Sequence, residues 1–115
     1  YFGGARSGTD IAKLIGLGAK AGAIGLPLAM ALGGELGPEG PSFFGDRTAE
    51  ERADGAASLI NAISAEAAIM TRCTGKTDLR NMEPEDMRAI TLASARAFGL
   101  PLAGAKRGTV IEAAE

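Results

Sequence analysis

The stretch Gly3-Gly4-Ala5-Arg6-Ser7-Gly8-Thr9-Asp10-Ile11-Ala12-Lys13, followed by Lys20-Ala21-Gly22-Ala23-Ile24-Gly25-Leu26-Pro27, decides the fold. A glycine-rich turn runs into an amphipathic segment. Ser7 or Thr9 can cap a helix there, and Asp10 sits in its first turn, where a negative charge suits the dipole. Ile11, Leu14 and Ile15 recur at helical spacing, and Gly18 ends the helix. Lys20 to Gly25 is short and apolar. Its place between that helix and a new one opening at Leu26-Pro27, and running to about Leu32, reads as a buried strand. Tyr1 and Phe2 read as the end of an earlier strand. The order is strand end, glycine turn, helix, strand, glycine turn, helix. That is a short run of parallel β/α architecture.

In parallel β/α folds, ligands bind at the C-terminal ends of the strands. Both glycine turns follow strand ends. Glycine lets the backbone approach an anion closely, and the N–H groups of the following helix point at it. Arg6 adds a permanent charge whose forked donors match a phosphate. Barrels often hold phosphate in the loops after strands seven and eight. Either turn alone is an ordinary βα connection. Two in tandem, one with an arginine, point to phosphate binding.

Downstream, Gly33 to Asp46 reads as loop, its prolines and glycines crowded around Gly37-Pro38-Glu39-Gly40-Pro41, with Phe43 and Phe44 as anchors. Thr48 and Glu51 form a capping box for a long helix to about Arg72. Its apolar stripe is Ala53, Ala56, Ala57, Ile60, Ile63, Ala67 and Met70, with Gly75 as C-cap. Thr77 to Asn81 reads as a short helical turn. Pro84 opens a last helix with Met87, Ile90, Ala93 and Ala97 on one face, ended by Gly99 and Pro101. The expected division is 1–46 for the last βα units, 47–102 for a helical extension packing on them, and 103–115 for a frayed tail.

Composition narrows the function. The chain has no histidine, which removes histidine bases, triads and most histidine-containing metal sites. Its single cysteine, Cys73, excludes an internal disulfide and suits a reducing cytoplasm, the expected location. Near the C-terminus of its helix, Cys73 reads as a small buried hydrophobe, because that end of the dipole disfavours a thiolate. A net charge of −2 gives no nucleic-acid or anionic-membrane surface. The most apolar run, Ala19 to Leu32, falls short of the about 20 residues a membrane helix needs. Asp10 and Lys13 read as solvated first-turn charges. Glu83, Glu85 and Asp86 read as helix-start acids, with no metal expected. Met70 and Met87 are core candidates. Apolar residues are 46% of the chain but aromatics only 4%, so a free-standing core would be thin, and packing against more protein is expected. The chain opens at Tyr1 without a methionine, and is expected to be a piece of something longer.

The Gly3–Lys13 stretch, with Leu17-Gly18-Ala19 and Ala23-Ile24-Gly25, resembles the strand-seven and strand-eight region of FMN-dependent barrel oxidoreductases. Glycolate oxidase-like enzymes and type 2 isopentenyl-diphosphate isomerase share that pattern. Ile63 to Gly75, Leu79, Glu83 to Ala89 and Gly99 to Gly104 resemble the segment after the barrel in the FMN-binding domain of glutamate synthase. They look equally like the related subunit of methylamine–glutamate N-methyltransferase. The resemblance implies an α/β fold: the C-terminal, strand 7–8 region of a (β/α)8 TIM barrel, followed by a helical extension. It implies FMN as cofactor. Gly3, Gly4, Ala5 and Arg6 would meet its phosphate from one loop, and Gly25 and Leu26 would offer backbone N–H groups from the other. It further implies an oxidoreductase completed by the rest of the barrel and other synthase subunits, acting on a small molecule. Substrate-facing residues would lie upstream, so no catalytic residue is named here. Glutamate synthases carry three cysteines after strand eight for a three-iron cluster. Gly33 to Asp46 has none, so no such cluster is expected on this chain. A reading of another class is a non-catalytic helical interaction module in which the glycines are simple turns.

Overall fold

The computed structural model describes residues 3–43 and 45–105. Helix α1 (Gly8–Gly16) and the short helix α2 (Leu26–Ala31) lead into a two-stranded antiparallel hairpin, β1 (Glu35–Gly37) and β2 (Gly40–Ser42). The long helix α3 (Ala49–Cys73) follows. Two single 3₁₀ turns, Leu79–Asn81 and Pro84–Asp86, then lead to α4 (Leu92–Phe98).

Helix α3 is the spine, and its start is fixed locally. Thr48 accepts from the Glu51 N–H at 3.2 Å while Glu51 accepts from the Thr48 N–H at 2.7 Å. A cap of this kind is worth about 1 kcal/mol. Helices α1 and α2 both lean on α3, each across a glycine. A β-carbon at Gly8 would lie 2.5 Å from the Ala67 nitrogen and 2.7 Å from the Glu66 β-carbon. A β-carbon at Gly55 would collide with the Ala31 carbonyl. Ala12, one turn beyond Gly8, is fully buried, as is nearly all of Ala67 and Thr71. Small residues thus let backbones meet where a larger side chain would hold them apart.

Arg52 ties α3 to the segments on either side of the hairpin. Its guanidinium donates to the Leu32 carbonyl at 2.8 Å and lies over the Phe43 ring, 5.9 Å from the centroid. Such a cation–π contact at a half-exposed site adds about 0.5–1 kcal/mol. Phe43 is therefore an anchor, as expected; Phe44 lies outside the described residues. Among the described residues, the buried apolar set is Ala5, Ala12, Ala67, Met82, Ala89, Ala95 and Leu100. Five of these are alanines, so the core is thin, as the composition implied.

Several expectations differ from the structure. The loop expected over Gly33 to Asp46 contains the hairpin; Pro38-Glu39 is its two-residue turn, and three-residue strands are too short to show alternation. Lys20 to Gly25 is not buried. Ala23 forms an isolated bridge and exposure alternates along the segment, because an extended segment is buried only where other elements cover its faces. The covered face of α3 runs through Ala56, Leu59, Ile63, Ala67, Met70 and Thr71, whereas Ala53, Ala57 and Ile60 face outward. The helix expected from Pro84 breaks after one turn. Asp86 accepts from the Glu83 N–H at 2.8 Å and from Lys76 at 2.7 Å, closing that turn. Ala89 then forms an isolated parallel bridge with Leu102, donating to the Pro101 carbonyl at 2.9 Å. Thr91 starts α4 with its own cap, and Gly99 (φ 64°) ends it in the left-handed region. Ile90, expected on the core face, is 87% exposed. Cys73, expected to be buried, is exposed.

Candidate functional site

Gly3, Gly4, Ala5 and Arg6 come together with Gly25 and Leu26 around one cleft of about 700 Å³. That is a volume typical of small-molecule sites. All six residues chosen from the sequence line it. The two turns are 19 positions apart at their nearest, Arg6 and Gly25, and α1 with its following turn folds them back onto each other. Sequence reasoning missed Pro27 and Met30, which complete the wall. Met30 stands four residues beyond Leu26, on the same face of a helix, and that spacing was the available signal.

Each wall has its own local cause. Gly3 and Gly4 adopt φ of 93° and 77°, a region that side chains with a β-carbon rarely enter, so this curl of backbone needs glycine. Ala5 is buried beneath it. Arg6 is exposed, and its backbone N–H donates to Asp10 Oδ2 at 3.0 Å. Ser7 is the N-cap of α1 and accepts from the Asp10 N–H at 3.2 Å. On the opposite wall Gly25 caps α2, whose first bond runs from the Ala29 N–H to the Gly25 carbonyl. The N–H of Leu26 therefore has no partner within its helix. Leu26 and Met30 are about half exposed, so that wall is apolar. One side of the cleft thus offers the glycine backbone and Arg6, and the other an apolar surface with a helix start.

Asp10 and Lys13 do not line this cleft. They border a separate hollow of about 180 Å³ behind the glycine turn. Asp10 is a structural acceptor: the Arg6 backbone N–H, helped by the Ser7 hydroxyl, holds its carboxyl below the ordinary value. Glu66 reaches across from α3, accepting from the Gly8 N–H at 2.8 Å and from the Thr9 hydroxyl. Those bonds hold it below its ordinary value too, the Thr9 hydroxyl contributing most. The acids near Pro84 are bound to Lys76, which contacts Glu83 at 3.1 Å and Asp86 at 2.7 Å. Among the described residues, no group of three or more His, Cys, Asp or Glu side chains is placed to hold a metal ion. A second cleft, of about 410 Å³, lies at the other end of α1 between Lys20 and Arg80, and contains none of the six chosen residues.

These carboxylates set an expected pH response. Asp78 is lowered from 3.8 to about 2 by the Arg80 side chain, and Asp86 is lowered by Lys76. Asp10, Glu51 and Glu66 are lowered as well. A carboxyl depressed on folding stabilises above its unfolded value and ceases to do so as pH falls through its folded value. The urea midpoint is therefore expected to stay level from about pH 7 to 5 and to fall steadily from about pH 4.5 toward 2. An unchanged midpoint down to pH 3 would show that these bonds do not form in solution.

Fold and cleft together define a mostly helical chain with a glycine-lined cleft bordered by Arg6. No protein-family model and no solved structure matches the chain. Among curated proteins, a glutamate synthase large subunit-like protein from Rhizobium meliloti (strain 1021) is 34% identical over 131 residues. The match covers 89% of this chain and 30% of that protein, so the chain spans less than a third of the relative's length. The matched stretch is longer than the 115 residues of the whole chain, so the relative carries extra residues inside it. This similarity supports a relationship to glutamate synthase-like proteins. Among the described residues, no helix is long and apolar enough to cross a membrane.

Proposed function

We propose that this chain grips the phosphate of FMN, as the strand 7–8 portion of a glutamate synthase-type β/α barrel with its helical extension. The observation that carries the reading is the convergence of Gly3–Arg6 and Gly25–Leu26 on one cleft. The similarity to the Rhizobium protein supports the glutamate synthase-type part of the reading. Gly3, Gly4 and Ala5 would approach the phosphate through backbone, Arg6 through its guanidinium, and Leu26 through its N–H at the start of α2. Leu26 brings no polar side chain, so its part is confined to backbone and to apolar contact. When bound, FMN supplies the hydride chemistry of an oxidoreductase. The chain's own contribution is to hold and orient it. Further strands and subunits would complete the barrel and bring the substrate.

Titration of the natively purified protein with FMN and with riboflavin tests this. FMN is expected to bind roughly tenfold to a hundredfold more tightly, the worth of charge-assisted bonds to the phosphate. Equal affinities, or none for either, would remove the proposal and favour the helical interaction module. Within the enzyme reading, Gly33 to Asp46 has no cysteine, which favours a branch without the three-iron cluster, such as methylamine–glutamate N-methyltransferase. Product analysis with methylamine against ammonia separates the branches.

A further inference from the structure

We infer that Glu66, on α3, is a positioning residue for the Gly3–Arg6 wall of the cleft. The inference rests on the proposed phosphate-binding reading and names a residue from the helical extension that serves it. Glu66 lies 57 and 58 positions from the groups it binds, the Thr9 hydroxyl and the Gly8 N–H. Gly8 itself lies flush on the backbone of α3, so the start of α1 is held by contact and by two hydrogen bonds at one point. From there a chain of bonds runs toward the cleft. Ser7 accepts from the Asp10 N–H, and Asp10 accepts from the Arg6 N–H. Gly3 and Gly4 have wide conformational freedom of their own. The turn is therefore fixed at its far end, by Ala5 packing and by the Glu66 clamp.

The carboxylate has a second consequence. It occupies the N-terminal end of α1, where the helix dipole would attract a ligand's anion. With that end filled by a carboxylate, the ligand phosphate is left to the curl of Gly3–Arg6. A helix of the extension thus sets the shape of the binding turn and the place of the charge.

The test compares Glu66→Ala, Glu66→Gln and Glu51→Ala in the whole protein, by FMN affinity and by amide hydrogen exchange without ligand. Glu66→Ala is expected to weaken FMN roughly tenfold, the loss of one good bond's worth of preorganisation, and to speed exchange at Arg6 and Gly8. Glu66→Gln should restore most of both, because its carbonyl can accept from Gly8 and its amide can donate to the Thr9 oxygen. Glu51→Ala breaks the distant capping box, so it should lower thermal stability while leaving affinity and Gly8 exchange unchanged. Unaltered affinity and exchange in Glu66→Ala overturn the inference, as does an equal loss in Glu51→Ala. Where wild type shows no preference for FMN over riboflavin, the phosphate reading fails by itself. The exchange results then decide whether Glu66 holds the turn.

Discussion

Arg6→Ala is expected to weaken FMN binding by roughly tenfold to a hundredfold, with Lys13→Ala leaving it unchanged. Both residues are exposed cations close to the glycine turn, so net charge alone predicts similar losses. Geometry separates them. Arg6 lines the cleft, whereas Lys13 borders the hollow behind it. A surface charge at a distance is screened within about 10 Å at ordinary ionic strength, but a guanidinium in direct contact with a phosphate is not. Arg6→Lys keeps the charge and loses the fork, so its affinity should fall between the two. Riboflavin binding should be unaffected by any of these changes, because it has no phosphate to lose. Equal losses of FMN in the Arg6 and Lys13 variants would show that only long-range attraction operates, and would remove Arg6 from the site.

What could be read from the sequence was what neighbours along the chain decide. Ser7, Thr48 with Glu51, Pro27 and Gly99 act within one turn of the backbone, and each was found where its pattern placed it. Gly3, Gly4, Arg6 and Gly25 were legible as cleft-lining residues for the same reason, since glycine and arginine mark a turn locally, whereas Ala5 and Leu26 came from the family resemblance. The features that escaped depend on what lies across the fold. Glu66 looks like any helix-surface acid until Gly8 is laid against it. The stripe of α3 was misjudged because an alanine-rich helix is apolar on several faces, and Gly55, rather than a larger side chain, marks where Ala31 crosses. The break after Pro84–Asp86 comes from Lys76 and from the Ala89–Leu102 pairing, neither of which helical periodicity registers.

Gly8→Ala is expected to cost about 2–3 kcal/mol, near the upper end for overpacking, while the same change at Gly25 costs about 1 kcal/mol or less. Two effects oppose each other. Replacing glycine restricts the unfolded chain, which favours folding by about 0.4–1 kcal/mol where the native backbone permits. Gly25, with φ of −115° and open space around its would-be β-carbon, has room for that gain, which offsets part of the N-cap preference lost there. At Gly8 the new methyl meets backbone: the Ile63 carbonyl, and the Ala67 nitrogen at 2.5 Å. Flexible side-chain ends can swing aside, but the backbone of a 25-residue helix cannot. Helix α1 must lift away instead. That loosens the contact that buries Ala12 and stretches both bonds to Glu66. The core is mostly alanine, so little other packing offsets the loss. For a chain of this size the melting temperature should drop by about 10 °C or more, at roughly 4–8 °C per kcal/mol. A Gly8→Ala variant as stable as Gly25→Ala would mean that α1 and α3 do not meet backbone to backbone, and the clamp on the glycine turn would go with that contact.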